Sequence, residues 1–265
     1  MNDLQRHILS IYKEFYNICN QSNLNFYAIG GTCLGAIRHQ GFIPWDDDLD
    51  VAMPRKDYEK LKSILRTDLK KPYELIDEHS IYHYECFFSK IHDTNTTFLH
   101  DEMMRFNDRK SGVYIDIMPL DGLPNNEYKR KLHLKIIKNL MKANIWQKDI
   151  PQTDSKMKKL SIRFLKLFPK NFFLKCYLKL VKKYDFNLST YSSFAWSQNC
   201  EKYILETKDF SSFVFFKFED TTMRCPVGYD NYLTTHFGNY MEIPSENNKV
   251  IHKGIIDLTK SYKLY

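Results

Sequence analysis

The sequence predicts an α+β fold: a mixed β-sheet core flanked by helices, carrying a basic helical insertion. Three observations predict it. Apolar residues recur with helix-like and strand-like periods in irregular alternation along 265 residues, with no internal repeat. Hydrophobic residues make up 43% and charged residues 27%, enough to bury a core and inconsistent with disorder. Charge is also segregated. The stretch 129–183 carries 17 Lys and Arg against Asp149 and Asp154, a local +15 in a chain of +7, which leaves −8 for the remainder.

Leu4, Ile8, Ile11, Phe15 and Ile18 fall at spacings of 4, 3, 4 and 3, so the chain opens on an amphipathic helix, broken at Asn20-Gln21-Ser22-Asn23. Residues 26–29 read as a short strand ending at Gly30-Gly31, followed by a helix around 34–38 with Thr32 as its N-cap. Gly41 and Pro44 turn the chain into a second strand at 48–53, and Pro54 opens a helix with Tyr58, Leu61 and Leu65 on one face. Strand-like runs follow at 73–76, 84–90, 96–99 and 113–118. The basic stretch, about 127–184, has helical spacing broken at Pro151 and Pro169. Residues 213–218 are the clearest strand of the return, and a last helix over 230–237 closes at Gly238. The expected organisation is a core over 1–125, an insertion over 126–185, and a return to the core over 186–265.

Several classes are excluded. The uncharged run from Phe15 to Ile37 is interrupted by asparagines and two glycines, short of the roughly 20 apolar residues a spanning helix needs. The amphipathic N-terminus lacks the pattern of a signal peptide. Six scattered cysteines (Cys19, Cys33, Cys86, Cys176, Cys200, Cys225) form no C-x-x-C pair, so free thiols in a reducing cytoplasm are expected.

The chemistry concentrates in Trp45-Asp46-Asp47-Asp48-Leu49-Asp50-Val51. Four acids in five positions repel one another, and a divalent cation relieves that repulsion. On a strand, Asp48 and Asp50 share a face about 7 Å apart while Leu49 and Val51 face the core. An EF-hand loop is rejected, because its sixth and twelfth positions would be Val51 and Asp57 in place of Gly and Glu. In Val113-Tyr114-Ile115-Asp116-Ile117 a single carboxylate interrupts an apolar strand, costly unless paired or metal-bound, so Asp116 is the third candidate ligand. Asp121 reads as a turn residue in Pro-Leu-Asp-Gly. Gly30, Gly31 and Thr32 stand at a strand-to-helix junction suited to phosphate, 17 positions before Asp48 when counted from Gly31. Together these features suggest a nucleotidyltransferase-type core, with phosphate and metal meeting between a glycine turn and a carboxylate strand.

At this point the sequence resembles the LicD family, which includes bacterial phosphocholine transferases and fukutin-type phosphoribitol transferases. The segment GGTCLGAIRHQGFIPWDDDLDVAMPRKDYEKL carries the resemblance. FFSKIHDTNTT, GVYIDIMPLDGLP and CPVGYDNYLTTHFGNYMEIP extend it, with His252 near the end. Cys33 replaces a small aliphatic residue and Met118 a frequent Phe. The resemblance implies transfer of a phospho-alcohol, most simply phosphocholine from CDP-choline with release of CMP, to a hydroxyl of a cell-surface glycan or teichoic-acid precursor. It implies Mg²⁺ (or Mn²⁺) held by Asp48, Asp50 and Asp116. Asp116 also acts on the acceptor hydroxyl, directly or through a second metal. Arg38, His39 and Lys90 are candidate countercharges for the pyrophosphate. Tyr84, Phe87, Phe88 and Tyr114 are candidates for an aromatic cage around a quaternary ammonium.

Two other functions compete. A phosphoribitol or phosphoglycerol transferase would keep the metal site and exchange the cage for hydrogen bonds. A non-catalytic nucleotide- or lipid-binding module would have no use for three costly carboxylates. Nucleic acid is not an expected partner, since no recognised motif accompanies the basic stretch. That stretch, 156–183, alternates Lys and Arg with Leu, Phe and Tyr at helical spacing. It is expected to lie on an anionic membrane at its cytoplasmic face, where a lipid-linked glycan acceptor is presented.

Overall fold

The computed structural model describes residues 1–80, 87–100, 111–148, 155–197, 199–243 and 254–265. The chain begins with α1 (Asp3–Gln21), started by a capping box in which Asn2 and Gln5 each accept the other's backbone N–H. Its face of Ile8, Ile11, Tyr12 and Phe15 is buried. Then come β1 (Tyr27–Ala28), α2 (Gly30–Arg38), β2 (Asp50–Pro54), α3 (Arg55–Asp68), β3 (Tyr73–Ile76), β4 (Ser89–Asp93), β5 (Thr97–His100) and β6 (Tyr114–Leu123). The basic stretch forms α4 (Glu127–Lys148), α5 (Lys156–Leu165) and α6 (Phe172–Val181). The return contains β7 (Tyr191–Ser193), β8 (Ile204–Glu206), β9 (Phe213–Phe218), β10 (Thr221–Pro226), α7 (Tyr229–Phe237) and β11 (Gly254–Asp257).

The main sheet runs β1-β2-β6-β4-β3, with β7 and β8 continuing from the far end of β6. Among the described residues only the β2–β6 pair of this sheet is parallel; its other pairs are antiparallel. β9–β10 and β5–β11 form two separate two-stranded antiparallel sheets. The expected α+β fold is present. Val51, Ile91, Ile115 and Ile117 form the sheet's buried side, and Tyr12, Phe15, Phe26 and Phe218 pack around the end of α1 in a cluster of tilted and edge-on rings. Cys19, Cys33, Cys176, Cys200 and Cys225 are free thiols; Cys86 lies outside the described residues.

Several local expectations are corrected. Thr32 does not cap α2: the helix already starts at Gly30, and the Thr32 hydroxyl accepts the Asp50 backbone N–H at 2.8 Å. Asp48 precedes β2, so it does not share a strand with Asp50. Asp121 is no turn residue. It sits inside β6, fully buried, and Arg55 grips both its carboxylate oxygens at 2.6 and 2.8 Å. Turn chemistry in the sequence Pro-Leu-Asp-Gly was outweighed by that partner, 66 positions away.

His92 on β4 is also buried, and its Nδ1 accepts the Gly112 backbone N–H at 3.2 Å. Burial pulls the imidazole down from its ordinary 6.5 to about 4. Between these values the unfolded chain binds a proton that the folded one refuses, so stability falls as pH drops from about 6.5 toward 4. At pH 5 this ring costs about 2 kcal/mol. His92→Gln, which keeps an acceptor, should show a shallower loss of melting temperature between pH 7 and pH 5 than the natural protein. Equal slopes would show that His92 titrates normally.

Candidate active site

The parallel register of β2 and β6 sets Asp50 opposite Asp116, and the antiparallel register of β4 sets Lys90 opposite Asp116 on its other side. Paired residues share a face, so Asp50, Asp116 and Lys90 form a row across three strands about 5 Å apart. Lys90 Nζ lies 2.7 Å from Asp116 Oδ1. Immediately before β2, Asp46, Asp47 and Asp48 each bring a carboxylate oxygen within 4.8 Å of the others. Gln5 of α1 donates its side-chain N–H groups to the carbonyls of Ile43 (3.1 Å) and Asp46 (2.9 Å), which fixes the loop that carries them.

Asp50 is the electrostatic centre. Its Oδ1 is shielded from solvent and accepts no hydrogen bond among the described residues. Its carboxyl is pushed well above the ordinary carboxylate range, first by burial and then by the charges of Asp48 and Asp116, with Lys90 opposing. Oxygen-only donors, crowded like charges and an unsatisfied buried oxygen fit a hard divalent cation. Asp48, Asp50 and Asp116 are the residues that could hold it, with Asp46 and Asp47 beside them.

The glycine turn meets this cluster directly. Gly30 has φ of +55°, a conformation that favours glycine, and its N–H donates to the Tyr232 hydroxyl at 3.0 Å. A Cβ at Gly31 would stand 2.7 Å from Asp46 Oδ2, so any larger residue would push this carboxylate away. Because α2 begins here, its N-terminal end, which favours anions, borders the carboxylate run.

The remaining candidates separate. Arg38 donates to the carbonyls of Tyr240 and Glu242, each at 2.8 Å, and the His39 ring sits edge-on to Trp45 at 6.3 Å. Burial lowers the pKa of both side chains. Lys90 joins the carboxylates. Of the four aromatic candidates, Tyr84 lies outside the described residues, as does His252. Phe87 turns onto Tyr177 of α6 (4.7 Å), whereas Phe88 packs on Trp196 (5.0 Å). Tyr114 stacks on Phe98 at 5.4 Å and holds the Lys90 ammonium 3.4 Å from its ring centre; Phe88 is 5.5 Å from the same ammonium.

Sequence reasoning missed the cavity that adjoins these residues. Gly30, Asp50 and Met118 line a cavity of about 260 Å³ together with Phe194, Trp196, Tyr203, Tyr232, His236 and Phe237. These aromatics are spread over 44 positions, with no period or motif that marks them in advance.

Comparison with known proteins agrees with the geometry. The model of the LicD/FKTN/FKRP nucleotidyltransferase domain matches residues 23–151, which include α2, the carboxylate run, Lys90 and Asp116. The chain is 29% identical over 262 residues to the lipopolysaccharide cholinephosphotransferase LicD of Haemophilus influenzae, covering 92% of each. It is 42% identical over 60 residues to the uncharacterized protein RP689 of Rickettsia prowazekii, covering 22% of this chain and 23% of that one. The glycine turn, the carboxylate run and Asp116, assembled at one end of β2 and β6, all lie inside the segment that matches the LicD-family nucleotidyltransferase domain.

Proposed function

We propose that this protein is a cholinephosphotransferase that moves phosphocholine from CDP-choline to a hydroxyl of a cell-surface glycan precursor and releases CMP. One observation carries the reading: Asp50 and Asp116 are paired across β2 and β6 beside the Gly30–Gly31 turn, in a chain that aligns with a named cholinephosphotransferase over nearly its whole length. The acceptor hydroxyl attacks the phosphorus that bears choline. A new P–O bond forms as the bond to the CMP oxygen breaks, and the hydroxyl proton passes to the Asp116 carboxylate. Lys90 orients this carboxylate from one side. The α2 N-terminus and the glycine turn receive the pyrophosphate. Asp48 and Asp50 would hold Mg²⁺ or Mn²⁺, which when bound neutralises charge gathering on the leaving phosphate.

Asp50→Asn keeps the shape and removes the charge. CMP release from CDP-choline, followed with a soluble glycan acceptor, should fall by about 10³-fold or more while the melting curve stays cooperative. Near-normal turnover at saturating Mg²⁺ would remove Asp50 from the site. Preferred release of CMP from CDP-ribitol or CDP-glycerol would reassign the protein as a phosphopolyol transferase. Mg²⁺ added after chelator treatment should raise the melting temperature of the natural protein and leave that of Asp50→Asn unmoved. Equal shifts in both would place cation binding elsewhere.

The acceptor in this reading is built on a lipid carrier, and α5 presents a face suited to the membrane that carries it. Met157, Leu160, Phe164 and Leu167 are 81%, 68%, 58% and 80% exposed, and Lys158, Lys159, Arg163 and Lys166 surround them. The aromatic and aliphatic residues of α6, by contrast, pack inward through Phe173, Leu174, Tyr177 and Val181. No helix among the described residues is long and apolar enough to cross a membrane, so α5 would lie in the headgroup plane. Vesicles containing anionic lipid should co-sediment with the protein at low salt, and neutral ones should not. Changing the four basic residues to Gln should abolish this, at about 1 kcal/mol per charge. Failure of the natural protein to co-sediment at low salt would refute the membrane face.

A further inference from the structure

We infer that the cavity lined by Gly30, Asp50 and the 194–237 aromatics seats the trimethylammonium end of the donor. The inference rests on the transferase reading above and deepens it. At about 260 Å³ the cavity is smaller than the sites that enclose whole drug-sized ligands, so it takes one end group and leaves the nucleotide outside.

Its walls select the chemistry of that group. The rings form an unbroken series: Trp196 to Phe194 at 5.8 Å, Phe194 to Tyr203 at 6.0 Å, Tyr203 to His236 at 5.5 Å, and His236 to Tyr232 at 4.5 Å. Successive tilts of 46°, 60°, 15° and 46° wrap these rings as a curved surface, not a flat stack. Neither Lys nor Arg is among the lining residues, and beside the rings stand only Ile29, Gly30, Met118 and Asp50, the last assigned above to the metal. Aromatic faces around a small space recognise a bulky, weakly hydrated cation.

Two polar groups of the same walls are spent within the protein: the Tyr232 hydroxyl accepts from Gly30, and His236 Nδ1 donates to the Tyr232 carbonyl at 2.9 Å. Trp196 Nε1 and His236 Nε2 are shielded from solvent and make no hydrogen bond among the described residues. A trimethylammonium group asks for no hydrogen bond and draws its attraction from the ring faces. The alternative rings nearby, Tyr114 and Phe88, already flank the ammonium of Lys90. Position completes the case. The cavity shares Gly30 and Asp50 with the phosphate and carboxylate site, so a group esterified to the transferred phosphate reaches it directly.

The test is calorimetric titration of the full chain with CDP-choline and with CDP, for the natural protein, Tyr203→Leu and Phe237→Ser. Phe237 is 46% exposed at the rim, so its replacement spares the core, and CDP affinity within about twofold of the natural protein shows that each variant is folded. The natural protein should bind CDP-choline about tenfold or more tightly than CDP, and each variant should lose most of that ratio. A ratio that survives in both variants, with CMP release from CDP-choline intact in the natural protein, overturns the cavity assignment and leaves the transferase reading standing. A natural protein that neither prefers CDP-choline to CDP nor releases CMP from it overturns both.

Discussion

The structure is organised around a repulsion. Asp46, Asp47, Asp48, Asp50 and Asp116 crowd one end of β2 and β6, and burial already disfavours the charge on Asp50. Such a cluster costs stability, and the surrounding elements are arranged to bear that cost. Lys90 faces Asp116 from β4, Gln5 holds the loop backbone from α1, Thr32 receives the Asp50 N–H from α2, and glycine at 31 leaves room for Asp46. The supports come from three elements, β4, α1 and α2. The sheet order β1-β2-β6-β4 can thus be understood as the arrangement that delivers them to one place.

How much of this was legible in the sequence depended on how local its cause was. Periodicity identified α1, and turn and cap chemistry identified the end of α7 at Gly238, because both are decided within a few residues. The carboxylates of the candidate site stood out in the sequence because an acid inside an apolar strand, or four acids in five positions, is anomalous on its own. The anomaly of Asp121 was hidden by a plausible turn, and only Arg55 across the fold explains it. Thr32 likewise had a local role available, as a cap, and the structure gave it a distant one. The aromatic wall over 194–237 was illegible because aromatics are common throughout this chain, and nothing local separates a cavity lining from a core.

The basic stretch shows two kinds of surface in one segment. Its inner side is tied to the core by charge and packing: Lys182 to Glu59 at 3.0 Å, Tyr177 to Phe87, and, just beyond α6, Asp185 to Lys56 at 2.5 Å. Glu59 also meets Arg55, whose guanidinium carries Asp121, so the basic stretch connects through α3 to the buried pair between α3 and β6. Only α5, with Ile162 as its single buried residue, keeps its apolar side out of this network. An anchored base with one exposed helix can meet a surface without disturbing the carboxylates.

In the proposed reading, chemistry and selectivity fall on separate parts of the chain. The segment matched by the family model ends at residue 151 and contains the glycine turn and the proposed catalytic acids. The aromatic wall lies wholly beyond it, on the stretch 194–203 and on α7, and reaches back through Tyr232 to Gly30 and through the chain after α7 to Arg38. Phosphoryl transfer asks the same thing of any CDP-alcohol: hold the pyrophosphate, neutralise it, and activate a hydroxyl. The transferred alcohol is distinguished only by the surface that touches it. A fold that places this surface on a later segment can change its rings for polar side chains while the carboxylate row, and the supports that bear its repulsion, stay as they are.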